Sequence, residues 1–460
     1  MSNEPSEVPG NGQASSTVHD GGRRGFIRTV GAAGLAAGLG PYIVTGRSRA
    51  ATRTLKILQW SHFVPAYDTW FDKTYTKEWG RKNGTEVIVD HVGITALNSR
   101  AAAEVSAQQG HDLFMFLWPP PSYENQVIDH KEVYDEVARR HGKPVDLAVK
   151  STYNPMTGKY FAFSDSFVPD PVNYRIDLWS EQGMPHGPSS WDDVRRVGRA
   201  IKQKRNIPVG VGMSSELDSA MAMRTILYAF GGEVQNAAGV IGLKSKETLD
   251  AVKFVKALYQ EAMTPEVMAW DASSNNRAML AGKSSLVLNA ISVTREAEDK
   301  KMPIASQIGL TKALRGEKQA IGLEHVMDCY VIWKFAENKE GAKQFLADYI
   351  DNFHAGFEAS KYYNFPCFAS TVPDLRKLLA EDPHKPTGKY LVLADVLDWA
   401  TNVGYPGYAN AAIDEIFGTW VINSMFAKAA TGTLSPEDAI AEADGRARQI
   451  FAKWHEKHLV

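Results

Sequence analysis

Between Asp112 and Trp118 stand five residues, Leu113-Phe114-Met115-Phe116-Leu117, with no polar side chain among them. A strand that is apolar on both faces needs helices above and below it. The preceding stretch supplies them. Leu55-Lys56-Ile57-Leu58-Gln59-Trp60 is β-prone, residues 66–81 carry a helical pattern, Thr85-Glu86-Val87-Ile88-Val89 is a second strand, and the Ala-rich 96–108 is a second helix. That alternation predicts right-handed βαβ units, a parallel sheet and an α/β fold.

At 460 residues the chain exceeds what one core holds, and two or three units are expected. Later helices have clear starts. Ser190 precedes Trp191-Asp192-Asp193, with Val194, Val197 and Ile201 on one face, and Ala342, Phe345, Leu346, Tyr349 and Ile350 form another stripe. Ser435-Pro436-Glu437-Asp438 combines an N-cap, a first-turn proline and an acidic third position ahead of a stripe from Ile440 to Trp454. No repeat and no low-complexity linker separates these segments, which favours two lobes joined by structured crossovers. Net charge is −2, and residues 51–460 alone carry −4 with no basic stripe, so nucleic acid is not an expected partner. Eleven tryptophans and seventeen tyrosines are a large supply of flat amphipathic rings, mostly for the core but also suited to a cleft.

Residues 1–50 do not read as part of the fold. Arg23-Arg24-Gly25-Phe26-Ile27-Arg28 is followed by a weakly apolar run from Thr29 to Val44, closed by Ser48-Arg49-Ala50. This resembles a twin-arginine signal peptide. Sixteen residues with four glycines fall short of the roughly 20 apolar residues a membrane span needs. The resemblance implies a mature chain beginning near Ala51, folded before export and free in the periplasm, since no cysteine near the cleavage point could carry a lipid.

Catalytic signatures are missing. Gly282-Lys283-Ser284 imitates the end of a phosphate loop, but Arg277 stands where its first glycine belongs. Gly210-Val211-Gly212 lacks a third glycine, and His455-Glu456-Lys457-His458 lacks a third metal ligand. No Gly-x-Ser-x-Gly elbow occurs. The two cysteines, Cys329 and Cys367, form no redox or cluster motif, and spacing alone leaves open whether they pair. No catalytic residue, metal or cofactor is assigned, and the chain is not expected to be an enzyme. The chemical rival is a sugar hydrolase, which would need two carboxylates at defined spacing.

Several stretches, in order, carry a resemblance over residues 54–454. They are Leu55–Trp60, His111–Trp118, Gly158–Phe163, Asn173–Trp179, Pro188–Val194, Ala281–Leu286, Glu337–Ala342 and Thr431–Ala439. The chain resembles the extracellular solute-binding proteins of bacterial ABC importers, family 1, in the sugar-binding group that includes maltose-binding protein. The resemblance implies the type II periplasmic binding protein fold, with two α/β lobes, a hinge and an interlobe ligand cleft. After the signal at 1–50, it puts the N-terminal lobe at 51–164 and 325–367 and the C-terminal lobe at 165–324 and 368–460. The crossovers fall near Ser164–Asp170, Glu324–Asp328 and Phe365–Thr371. It also implies a sugar, polyol or phosphorylated polyol as ligand, an ABC permease as membrane partner, and a monomer that closes over its ligand.

Ligands of open α/β sheets bind beyond the carboxyl ends of strands. That directs attention to Trp60, Ser61, His62 and Phe63 after the first strand, and to Trp118 after the third, where the resemblance implies an aromatic contact to a sugar ring. Asp165, between Ser164 and Ser166, can accept two hydroxyls at once, with Asp170 as rival. Ser214, Ser215 and Glu216 follow the strand-like 207–213 and should face the cleft. The resemblance adds Trp270 and Asp271, Asn289 and Ser292, Glu324 and His325, and Tyr408 and Asn410 near Pro406.

Overall fold

The protein is described from a computed structural model, which describes residues 53–324 and 326–460. The signal-like segment and His325 lie outside the described residues. Fourteen strands follow in chain order. They are β1 Arg53–Trp60, β2 Thr85–Val92, β3 Leu113–Phe116, β4 Tyr153–Asn154, β5 Lys159–Tyr160, β6 Phe163–Val168 and β7 Val172–Arg175. Then come β8 Val209–Gly210, β9 Leu286–Leu288, β10 Ile308–Thr311, β11 Gly322–Leu323, β12 Val326–Ile332, β13 Phe365–Pro366 and β14 Ala400–Thr401. The main sheet has six strands in the order β13-β6-β12-β3-β1-β2, and a second has four, β10-β7-β9-β8. Two further pairs, β11-β14 and β4-β5, complete the set.

The early strands form as their pattern predicts. β1 pairs in parallel with both β2 and β3, and every residue of β3 is buried. The wholly parallel sheet expected from that pattern does not extend further. β12 runs antiparallel to β3, with Cys329 opposite Phe116 and Ile332 opposite Leu113, and β6 and β13 continue antiparallel. The reason is topological. β12 arrives from the second sheet at the carboxyl edge of β3, so it has to run back against it.

Helices cover both sheets. The helical pattern at 66–81 becomes one continuous helical run, Pro65–Trp70, a π-turn Phe71–Tyr75, then Thr76–Asn83. It stops at Gly84, whose φ of 59° suits glycine. Ser190 caps Trp191–Arg205 in a reciprocal box with Asp193, and Ser435 caps Pro436–His455 through the Asp438 N–H. The Leu217–Ala229 helix is buried along its whole length, its polar Asp218, Ser219, Arg224 and Thr225 included.

One irregularity matters for the site. Asp328 pairs with Ser166 and Cys329 with Ser164, so Asp165 is an extra residue on β6, a bulge. The two cysteines are buried free thiols on opposite sides of β6. Two inter-strand spacings, roughly 10 Å, exceed disulfide reach. Cys367 Sγ instead sits 3.3 Å from Ser164 Oγ, and burial pushes both thiols well above their usual pKa.

Candidate functional site

At the carboxyl end of β1 the chain turns into the Pro65 helix, and the turn is held by His62. Its Nδ1 accepts from the Val64 N–H at 2.9 Å, so the ring proton resides on Nε2 and is donated to Asn364 Oδ1 at 3.0 Å. Burial drives its pKa down to about 4, leaving the imidazole neutral. The ring is packed among Trp60 at 4.8 Å, Tyr67 at 4.7 Å and Tyr363 at 5.0 Å. With Asn364 Oδ1 so engaged, its Nδ2 is a buried donor without a partner, as is the Tyr363 hydroxyl. Phe63 is half-buried, edge-on to Trp60, and Ser61 is exposed, its N–H on Val92 O.

Three strands along the main sheet from β1, the bulge on β6 turns Asp165 toward Asp328. The Ser166 hydroxyl lies 3.1 Å from Asp165 Oδ2 and 2.9 Å from Asp328 Oδ2, and Asp328 Oδ1 has no partner. Burial raises both carboxyls, Asp328 also through the neighbouring Asp165 charge. Tyr330, Tyr349 and Tyr67 lie within electrostatic reach, tied by Gln59 Nε2 to Tyr330 at 2.5 Å and Tyr67 to Tyr349 at 2.7 Å.

The second sheet contributes a polar network of its own. Glu216 caps the Leu217 helix, accepting from the Ser219 and Asp218 N–H groups, and burial together with Asp218 pushes it up to about 7. Asn275 donates to Asp218 at 2.6 Å, and Asn276 joins Asn289 to Ser292. Asn173 donates to Asn289 O at 2.8 Å, leaving its own Oδ1 buried and unmatched. Burial, then the charges of Asp218, Asp328 and Asp170, hold the Tyr363 hydroxyl pKa high. Asp170 and Glu324 are also buried.

Of the residues expected at the site, Trp60, His62, Asp165, Asn289, Ser292 and Glu324 are buried and Glu216 is half-buried, in two polar clusters, one on each sheet. The others go elsewhere. Trp118 is buried, its Nε1 donating to Asp414 at 3.0 Å and its ring 5.5 Å from Phe417, beside a crevice of about 250 Å³. Ser214 donates to Trp270 O at 2.5 Å, and Ser215 next to it is exposed. The Trp270 ring lies against Gly210, and Asp271 is exposed and paired with Arg277. Asn410 caps the Ala411–Gly418 helix, and Tyr408 lines a separate groove of about 760 Å³ with Met156 and Val240.

Sequence reading did not single out Asp328, Tyr363, Asn364, Asp218, Asn275 or Arg224. Asp328 and Arg224 did have a signal, a charge inside an apolar strand and inside an apolar helix. The other four had none. Among the described residues no group of three or more His, Cys, Asp or Glu could hold a metal, and no helix is long and apolar enough to cross a membrane.

A sequence profile of the bacterial extracellular solute-binding proteins matches residues 64–349. A protein of Brucella abortus (strain 2308) named as a candidate binding protein is 20% identical over 327 residues, 68% of this chain and 75% of that one. Among solved structures, a solute-binding protein of an ABC transporter from Thermotoga lettingae TMO, bound to α-D-tagatose, superposes with a TM-score of 0.73 at 17% identity, covering 86% of this chain and 99% of that one. A ribitol-bound counterpart from Agrobacterium radiobacter K84 gives 0.69 at 17%, covering 86% and 98%. A laminaribiose-bound sugar transporter protein from Arthrobacter chlorophenolicus A6 gives 0.72 at 15%, covering 86% and 99%.

Proposed function

Because this chain belongs to the bacterial extracellular solute-binding proteins, with the hinged two-lobe type II fold of the sugar-importer proteins above, we propose that it captures a sugar or polyol between its sheets and delivers it to an ABC permease. Its task is binding, not catalysis. The lobes of this reading are the two sheets with their helices, and the chain crosses between them at 169–171, between 311 and 326, and after Pro366. Residues 1–50 act as a twin-arginine signal, and the exported chain works as a periplasmic monomer.

The observation that carries the ligand class is an internal mismatch of hydrogen bonding. Tyr363 OH, Asn364 Nδ2 and Asp328 Oδ1 from the first half, and Asn173 Oδ1 from the second, are buried without partners. Leaving such a group unsatisfied costs about 1–3 kcal/mol. Donors and acceptors are both among them, and a hydroxyl can answer either kind. A polyhydroxylated solute would complete the set from both sides at once, and so favour the conformation in which the halves meet.

The test is a thermal-shift screen of the mature chain with D-tagatose, ribitol, laminaribiose and maltose. A solute at about 100 times its Kd adds about 2.7 kcal/mol to folding stability, a rise of several degrees. No movement with any polyhydroxyl compound, or consumption of the compound, would contradict the reading.

A further inference from the structure

Two arginines are buried in the second half, and the fold treats them differently. Arg295 is paired with carboxylates, although its Nη2 is itself buried without a hydrogen-bond partner. Its Nη1 lies 2.9 Å from Glu298 Oε2 and 2.9 Å from Asp382 Oδ2, its Nε donates to Lys361 O at 2.8 Å, and its face covers the Tyr390 ring at 3.8 Å. Arg224, at 0% exposure, has no such pairing. Its Nη1 reaches Ala220 O, one turn back on its own helix, at 3.4 Å. The guanidinium lies over the Phe417 ring at 4.6 Å. The Tyr228 hydroxyl beside it donates to Val403 O at 2.8 Å and can still accept from the guanidinium, which gives the charge partial support. Among the described residues no carboxylate pairs with Arg224, and its Nε and Nη2 have no hydrogen-bond partner.

An isolated buried charge is strongly unfavourable unless something compensates it. Burial lowers the guanidinium pKa to about 10, so it remains charged at neutral pH. Nε and Nη2 form one edge of the guanidinium, the edge that grips an oxyanion with two parallel hydrogen bonds. Phe417, under Arg224, packs on Trp118 from the first half, and Trp118 is held by Asp414. In the proposed division this puts Arg224 one ring away from a contact, Phe417 on Trp118, that joins the two halves.

We propose that Arg224 is the anion subsite of the solute site, so that the solute is a polyhydroxylated acid whose carboxylate or phosphate lies on the Nε–Nη2 edge. This rests on the solute-binding reading above and narrows it. The hydroxyls of such a solute remain for Tyr363, Asn364 and Asp328. Burial raises the pKa of Glu324 and Asp328 above the usual carboxylate range, which lessens the negative charge they present to the solute.

The test is titration calorimetry of the mature chain with D-gluconate, D-galacturonate and glycerol 3-phosphate, against D-glucitol, D-tagatose and ribitol. At least one anion should bind more tightly than the neutral compounds, and Arg224→Gln should weaken it by about 10- to 100-fold, the scale of a lost charge-assisted pair. The gluconate and galacturonate arms report a carboxylate, the glycerol 3-phosphate arm a phosphate. Arg224→Lys keeps the charge but not the paired edge, and should lose most of the anion preference while remaining folded. The melting temperature of solute-free Arg224→Gln should hold or rise, because a burdensome charge is gone. Neutral compounds binding as well as the anions would overturn the subsite and leave the solute-binding reading standing. Anion binding that survives Arg224→Gln, or a lower solute-free melting temperature with selectivity intact, would assign Arg224 a structural role. Binding by none of the six compounds would overturn both readings.

Discussion

Asp165 and Asp328, contributed by neighbouring strands β6 and β12, converge on one hydroxyl, that of Ser166, at 3.1 and 2.9 Å. A hydroxyl has a single proton and cannot donate to two carboxylates at once. The arrangement closes if one carboxyl is protonated and donates to Ser166, which then donates to the other. Such a pair shares one proton between the neighbouring strands β6 and β12 of the main sheet.

That sharing has a pH signature. Burial raises both carboxyls, Asp165 to about 7, whereas an unfolded aspartate titrates near 3.8. Each unit of difference is worth about 1.4 kcal/mol. A raised carboxyl pKa means the folded state holds its proton more tightly. Its contribution is therefore fully present below pH 3.8 and lost as pH rises through about 7. Asp328→Asn removes one ionisable partner and still offers Ser166 a donor. Urea denaturation at pH 5 and pH 8 should show the variant gaining on the wild type by about 1–3 kcal/mol at the higher pH. A pH-independent difference would contradict proton sharing.

His62 is predicted to act by orienting Asn364. His62→Leu deletes the Nε2–H donor and leaves Asn364 free to flip, which should weaken solute binding by about 1–3 kcal/mol in calorimetry. Since burial lowers its pKa to about 4, wild-type affinity should not titrate through His62 between pH 5.5 and 8. Its contribution to stability runs opposite to that of the aspartates, present above pH 6.5 and lost as pH falls toward 4.

How much of this was readable in advance depends on the distance over which each feature is determined. β1 to β3 and the caps at Ser190 and Ser435 depend on neighbours a few residues away, and their patterns were plain. The antiparallel return of β12 depends on where the chain re-enters from the second sheet, which no local pattern records. Tyr363 and Asn364 follow Lys361 and Tyr362, two consecutive non-glycine residues with φ of 54° and 65°. Their meeting with His62, about 300 residues earlier, exists only in the fold. Trp118 was readable as an aromatic at a strand end, but Asp414 as its partner was not.

In the proposed division Trp118 joins the two halves through Asp414 and Phe417, and two substitutions separate its roles. Trp118→Phe keeps a ring against Phe417 but removes the hydrogen bond to Asp414, at a cost of about 1–3 kcal/mol in urea denaturation. Trp118→Ala also removes the packing and should cost about 3–5 kcal/mol. Equal losses would mean that the Asp414 contact carries the whole effect.

Arg295 is the structural counterpart of Arg224. Arg295→Met strands the buried Glu298 and Asp382 beside Lys389, and should destabilise the protein by about 3–5 kcal/mol in the same assay. A neutral outcome would show that Lys389 alone satisfies both carboxylates.

The central claim is that one solute bridges the two halves and holds them together. Small-angle scattering of the mature chain, with and without whichever compound raises its melting temperature, addresses this most directly. The account predicts a smaller radius of gyration and a more compact envelope in the saturated sample. Identical scattering curves at saturating solute would contradict it.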